Sequence, residues 1–224
     1  MTFSIVARCA ETGMFGVAVS SSSPAVAARC AYARAEIGAV ASQNITDPTL
    51  GPKTLDLMGQ GATASEAVAI LSRTSAHIDY RQILAVDGQG GSAIYSGSHA
   101  LGTVGEAKGL NVASAGNLLS GENIPQVIVE AFTECSGSLG ERILAAMQAA
   151  VDAGGEEGPI HSAGMKLVRD VDWPVADLRV DWSETCPIAA LRKIWEVYEP
   201  QLDAYVTRAL NPGDAPSYGV PGDQ

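Results

Sequence analysis

Basic charge is scarce in this chain: 14 Lys and Arg stand against 25 Asp and Glu, a formal net charge of −11. A phosphate backbone needs a basic face, so this balance argues against nucleic acid as a partner. No polybasic run suits an anionic membrane surface, and no uninterrupted apolar stretch is long enough to span a bilayer. Aromatic residues are only 5% of the chain, so the core must be built from Ala, Val and other aliphatics, with 24 glycines letting layers approach closely. The cysteines, Cys9, Cys30, Cys135 and Cys186, are scattered, with no C-x-x-C pair and no Cys/His spacing for zinc. The expectation is therefore no metal, no cofactor, and reduced thiols in the cytoplasm. No basic-then-apolar leader precedes the first apolar alternation, so nothing points to secretion.

Histidine is scarcer still, with His77, His99 and His161 alone. A Ser–His–Asp triad thus has few candidate bases. His161 and Ser162 are adjacent, and neighbours on a strand point to opposite faces. Signatures of other chemistries are missing as well: there is no H-E-x-x-H, no P-loop and no G-x-G-x-x-G. Ser136 to Gly140 approaches a nucleophile elbow but lacks its first glycine and opens a helix.

What the chain does contain is clear periodicity. Phe3, Ile5 and Ala7 alternate with Thr2, Ser4 and Val6, the pattern of a half-buried strand, and a turn at Glu11-Thr12-Gly13 returns it as a hairpin through Met14–Ser20. After a small-residue segment, Ile37–Ser42 is a further strand. Helices are expected over about Thr49–Gly59 and from Thr63, where Glu66 completes a capping box. Strands return at Gln82–Val86, Ser92–Tyr95 and Leu110–Ser114, then helices at Ile124–Cys135 and from Ser138, with Glu141 as a second capping box. Ser162–Val168 and Asp177–Val180 are the last strands. A final helix capped by Thr185 carries Ile188, Leu191, Ile194, Trp195, Tyr198 and Leu202. Strands come in runs rather than singly between helices, which favours an α+β arrangement of two mainly antiparallel sheets between helical layers. We expect one domain over residues 1–208 and a flexible Pro/Gly-rich tail over 209–224.

With so few histidines, Thr2 becomes the residue of interest. Methionine ahead of a small residue is the kind normally excised. Removal would give Thr2 a free α-amine, whose pKa of about 8 lets it take the proton of its own hydroxyl. That chemistry needs no histidine. The plain alternative is a chain that simply begins Met-Thr.

The segments Thr2–Arg8, Glu11-Thr12-Gly13, Gly16–Ser21, Ala33-Arg34-Ala35, Gly38–Gln43, Gly51-Pro52, Ala115–Leu119 and Asp177–Asp181 together resemble the DUF1028 family, in that family's order. The family in turn resembles the N-terminal nucleophile hydrolases, particularly proteasome-like subunits. The resemblance implies a four-layer αββα sandwich and places Thr2 at the nucleophile's position. Arg34 falls near the place where proteasome-like enzymes keep a lysine; an arginine there could orient a carbonyl but not shuttle a proton. Their second-strand acid has no counterpart in Val19–Ser23.

Ser162 falls where those enzymes place a serine near the terminal amine. Asn117, in a Gly-Asn loop before a helix, is a candidate oxyanion donor together with backbone N–H groups. Ser21 is a candidate support for Thr2. Ser22, Gln43 and Asn44 are candidates for touching substrate, with turn formation the plain alternative for the last two. These residues suggest an amidohydrolase acting on a small-molecule amide or peptide-like bond. The rival is a catalytically silent member that binds a small molecule or assembles with other chains. A homo-oligomer is compatible with either.

Overall fold

A computed structural model describes residues 1–222. The first hairpin forms as the alternation predicts: β1 (Thr2–Arg8) pairs antiparallel with β2 (Phe15–Ser21), Thr2 opposite Ser21 and Val6 opposite Val17. A single helical turn, α1 (Ala27–Cys30), leads into β3 (Ala31–Arg34) and then β4 (Gly38–Asn44). Neither α1 nor β3 is legible in the sequence, because four residues are too few to show a period. Helices α2 (Leu50–Gly59) and α3 (Ala64–Thr74) follow, and Thr63 and Glu66 make the reciprocal capping box.

The middle of the chain supplies β5 (Arg81–Asp87), β6 (Ser92–Ser96), β7 (Gly105–Gly109) and β8 (Val112–Asn117). After them come α4 (Ile124–Glu134), α5 (Leu139–Asp152), β9 (Ser162–Val168) and β10 (Ala176–Val180). The strands form a six-stranded sheet, β10-β9-β2-β1-β8-β7, and a four-stranded sheet, β3-β4-β5-β6, with every pairing antiparallel.

Three apolar clusters define the layers. Phe3, Ile5, Ile143, Met165 and Trp195 join the six-stranded sheet to α4, α5 and α6 (Pro187–Tyr198). Val6, Val17, Val19, Ala39, Leu84 and Ala115 fill the space between the sheets. Val40, Leu55, Leu71 and Ile83 join the four-stranded sheet to α2 and α3. The architecture is an α+β four-layer αββα sandwich, as expected.

Sandwiching corrects the reading of β1 as a half-buried strand. Thr2 through Ala7 are all buried, because helices cover one face and the second sheet covers the other. The alternation sorts side chains between two interiors, not between core and water. Phe3 and Ile5 on the helix side each contribute about 1.5–3 kcal/mol by burial.

Two helix starts also differ from expectation. Ser138 Oγ accepts from the Glu141 N–H, yet the Glu141 carboxylate pairs with Arg192, so the capping box is only half formed. The last long helix begins at Pro187 behind Cys186, not behind Thr185, whose hydroxyl pairs with Ser183. A proline lacks the N–H that a cap would satisfy, which suits it to the first turn. Pro200 likewise interrupts the predicted single helix, with a 3-10 turn at Glu199–Gln201 before α7 (Leu202–Leu210). Beyond α7, Arg208 donates to the Pro216 carbonyl and lies 3.6 Å over the Tyr218 ring. Residues 223 and 224 of the expected tail lie outside the described residues.

Packing of α5 on α6 depends on Gly140, since a Cβ there would lie 2.3 Å from Trp195 Cζ2. Trp195 is buried, so any shift of its ring gives up part of its present packing. Gly140→Ala should therefore destabilise the fold by about 1–3 kcal/mol in denaturant titration. Alanine's better helix propensity offsets about 1 kcal/mol of that clash at most. A stabilised variant would contradict this packing account.

Candidate functional site

The space between the sheets changes character along its length. Toward one end it is filled by Val6, Phe15, Val17, Leu84 and Val86. Toward the other, the same period-two positions carry Thr2 and Ser4 on β1, Ser21 on β2, Asn117 on β8, Ser162 on β9, Gln43 on β4 and Gln82 on β5. All seven are buried. Buried polar groups cost stability unless they are hydrogen-bonded, and these fall into two bonded groups, one around Gln43 and Gln82 and one around Ser21 and Ser23.

Ser4 Oγ donates to Gln43 Oε1 at 2.6 Å, and Gln43 Nε2 donates to Gln82 Oε1 and the Ala115 carbonyl at 3.1 Å each. Gln82 Nε2 donates to Ser96 Oγ and the Gly116 carbonyl, while Asn117 Nδ2 donates to Gln82 Oε1 at 2.9 Å. One of the two Asn117 amide hydrogens is thus committed to holding the sheets together.

Thr2 opens β1 directly between Ser21 and Asn117. Its Oγ1 lies 2.5 Å from the Met1 carbonyl oxygen and 3.3 Å from Ser21 Oγ. Ser21 Oγ donates to the same Met1 carbonyl at 2.6 Å and sits 2.8 Å from Ser23 Oγ. Ser23 Oγ in turn accepts from Arg29 Nη2 at 2.6 Å. The run Ser20–Ser23 therefore links Thr2 through hydroxyls to a guanidinium. Arg29 also donates to the carbonyls of Pro24 and Ala25, which fixes the guanidinium in place.

Ser162 holds this turn rather than touching Thr2: its Oγ donates to the Ser23 carbonyl at 2.6 Å and accepts from the Val26 N–H. Arg34 is not brought to the site. It pairs with Gly38, six residues along β4 from Asn44 and about 20 Å away by strand rise, and forms an exposed salt bridge with Asp56. The basic side chain joined to Thr2 is Arg29, which lies in the short α1 that the sequence did not reveal.

Backbone N–H groups after Asn117 are also engaged elsewhere. Leu118, Leu119 and Ser120 donate to the carbonyls of Leu101, Thr103 and Gly155, and α4 starts only at Ile124. The expected gathering of free N–H groups there does not form. Leu118 has φ +52°, an unfavourable conformation for a branched residue that turns the chain out of β8 right beside the site. Asn44, with φ +71°, bonds the Tyr80 carbonyl and the Leu101 N–H, so it anchors loops. Gln43 belongs to the inter-sheet network. Ser22 contributes its backbone N–H, to an acid that sequence reasoning missed.

That acid is Glu156, 5% exposed, in the segment between α5 and β9. Its Oε2 accepts from the Ser22 N–H at 3.2 Å, and Oε1 is buried without a hydrogen-bond partner among the described residues. Burial pushes its carboxyl up to about 8, against the opposing pull of the chain's amino terminus and the Ser22 N–H. Only an Ala-Gly-Gly-Glu-Glu-Gly loop marks this residue in the sequence, and nothing there shows which strand end the loop covers.

At the rim, His161 donates its backbone N–H to the Ser21 carbonyl. Its ring stacks on Trp182, with Nδ1 2.8 Å from the Ser183 carbonyl, so that nitrogen carries the proton. Thr2 itself is 6% exposed, and five surface cavities of about 200 to about 460 Å³ are lined by other residues. Among the described residues no cluster of His, Cys, Asp and Glu could hold a metal, and no helix is long and apolar enough to cross a membrane.

An αββα sandwich whose central strand begins with a hydroxyl residue in a buried polar nest is the arrangement that the resemblance to the N-terminal nucleophile hydrolases implies. The family model DUF1028, a family of unknown function, matches residues 2–191, and the chain belongs to that family. The crystal structure of a DUF1028 protein from Silicibacter pomeroyi is similar over 88% of each chain, at 28% identity and a TM-score of 0.82. HslV from Trypanosoma brucei shows 12% identity over 75% of this chain and 99% of its own, with a TM-score of 0.44. Anbu, an ancestral beta-subunit, from Yersinia bercovieri shows 11% identity over 91% and 97%, with a TM-score of 0.40. No curated protein matches the chain.

Glu156 generates a prediction about stability. Its pKa is raised from 4.5 to about 8 in the folded chain, so above pH 4.5 the folded state holds a proton that the unfolded state has released. The stability tied to Glu156 is complete below pH 4.5 and is lost as pH rises toward 8. In Met1-bearing protein, Glu156→Gln should remove this decline, so its melting temperature exceeds wild type at pH 8 by more than at pH 5. Parallel profiles would contradict the buried-acid assignment.

Proposed function

We propose that the chain is an N-terminal-nucleophile amidohydrolase that cleaves the C–N bond of a small amide or peptide-like molecule. The observation that carries this reading is the placement of Thr2 Oγ1 in a hydroxyl chain to Ser21, Ser23 and Arg29, at the buried polar end of the sandwich. Cleavage of the Met1–Thr2 bond is the activating step. It removes the carbonyl that now accepts from both Thr2 and Ser21, and it creates the α-amine.

In this mechanism the α-amine takes the Oγ1 proton as Oγ1 attacks the substrate carbonyl carbon. The second Asn117 amide hydrogen and the Ser21 hydroxyl donate to the oxygen that becomes negative. Ser21 already donates to a carbonyl oxygen beside Thr2, that of Met1, which supports this role. The C–N bond breaks, and the departing amine takes the proton back from the α-ammonium group. Water, deprotonated by the same α-amine, then attacks the Thr2 ester; the ester C–Oγ1 bond breaks, the α-ammonium returns its proton to Oγ1, and the acid is released. Arg29 contributes positive charge through Ser23, and Ser162 keeps the turn in register. Ser22, beside Glu156, borders the substrate's path. Gln43 and Asn44 support the walls, and Arg34 has no part in the reaction.

No step uses a cofactor, and the free cysteines suit the reducing cytoplasm, where we place the protein. Assembly as a homo-oligomer agrees with the exposed Ile194, Val197 and Tyr205 on α6 and α7. A silent, ligand-binding role is the second reading, favoured by the 6% exposure of Thr2 while Met1 is present.

Turnover of a panel of chromogenic anilides by Met1-free protein separates the two readings. Thr2→Ala should lower kcat at least about 100-fold with its melting temperature kept within a few degrees, given the size of nucleophile-deletion effects. Arg29→Met should lower kcat about tenfold or more, as expected for loss of one electrostatic partner, while Arg34→Met leaves it unchanged. Equal rates for wild type and Thr2→Ala, or an inactive Arg34→Met beside an active Arg29→Met, would overturn the assignment.

A further inference from the structure

Among the described residues, Glu156 is the one buried acid at the Thr2 end that the hydrolytic steps above leave unused. Its Oε2 is held by the Ser22 N–H, one position beyond the Thr2–Ser21 pair, and hence level with Met1 on the opposing strand. The Met1 side chain lies against Gly158 in the same loop, where a Cβ would come within 3.0 Å of the methionine methyl. A bridge between Leu119 and Glu156 and bonds from Ser120 to Gly155 and from Glu157 to Leu118 tie the loop to the chain leaving β8. Its position is thus set by both neighbours of β1. The charged group that acts on Glu156 is the chain's amino terminus. Oε1 is buried with no hydrogen-bond partner among the described residues.

Excision of Met1 moves the positive terminus by one residue, onto the Thr2 nitrogen, and clears the space level with Ser22. We infer that the Glu156 carboxylate then accepts the Thr2 α-ammonium group at Oε1, and so serves as the positioning residue that anchors the nucleophile's amine. A buried carboxylate without a partner is strongly disfavoured, and a buried ammonium is too. Together they satisfy each other. Loop 154–158 thereby supplies the acid that β2 lacks, and activation becomes a charge-pairing event as well as an unmasking one.

This inference rests on the free-amine reading of Thr2, but its test needs no turnover. The Met1-free chain is released from an N-terminal fusion by cleavage directly before Thr2. Acylation of its α-amine by an activated ester is then followed by mass across pH 5–10, for wild type and Glu156→Gln. Losing the anionic partner should lower the apparent pKa of the amine by about one unit or more, a tenfold rise in its free fraction well below that pKa. A second readout uses no variant. The fall in melting temperature between pH 6 and pH 8 should be smaller in Met1-free than in Met1-bearing wild type, because pairing favours the ionised carboxylate. Both results are required. Equal amine pKa values in the two chains, or equal pH dependence with and without Met1, would overturn the pairing. If Glu156→Gln does not fold, the Met1 comparison alone decides. A protein that shows both effects and hydrolyses no amide would retain the ion pair and lose the hydrolase reading.

Discussion

The central strand β1 has no solvent face, and the organisation of the site follows from that constraint. Helices α4 and α5 cover one side and the second sheet covers the other, so every polar atom on β1 must be satisfied within the protein. Where β1 carries Val6, the facing positions are apolar. Where it carries Ser4 and Thr2, Gln43, Gln82, Asn117 and Ser21 come to meet them. The polar end is therefore lined by hydrogen-bonded side chains, and a residue at its mouth inherits a fixed geometry. Rigid positioning is what the proposed attack by the Thr2 hydroxyl needs.

Charge is distributed around Thr2 by two short segments rather than by strands. Arg29 comes from the four-residue α1 and reaches Thr2 through Ser23 and Ser21. Glu156 comes from the turn after α5 and is held by Ser22. A positive and an acidic group thus meet neighbouring serines, Ser23 and Ser22, and each of the four consecutive serines presents a hydroxyl or an N–H to a different partner. Ser162 secures the turn that makes this possible.

Most of the scaffold was legible in the sequence because its long elements have long periods. The hairpin, the α3 capping box and the stripe of α5 all appear where the pattern of apolar residues and caps places them. The site was legible only in part. Thr2, Ser21, Asn117 and Ser162 lie on strands whose register brings them together, so family resemblance and alternation both led to them. Arg29 was missed because a one-turn helix of Ala, Arg and Cys shows no period. Glu156 was missed because it reaches the site by loop closure over more than a hundred residues. Arg34 lies near the right place in sequence, yet β3 runs away from Thr2 and carries it to the opposite end. Burial of both faces was missed too, since alternation alone does not say what covers the polar side.

Covalent capture tests the central claim most directly. Met1-free protein is treated with an amide- or lactone-based electrophile, digested, and its peptides are sequenced by tandem mass spectrometry. The account predicts a single adduct on the Thr2 side chain, absent from Thr2→Ala. An adduct on another residue such as Cys9, surviving in Thr2→Ala, or an unmodified Thr2 throughout the panel, would contradict it.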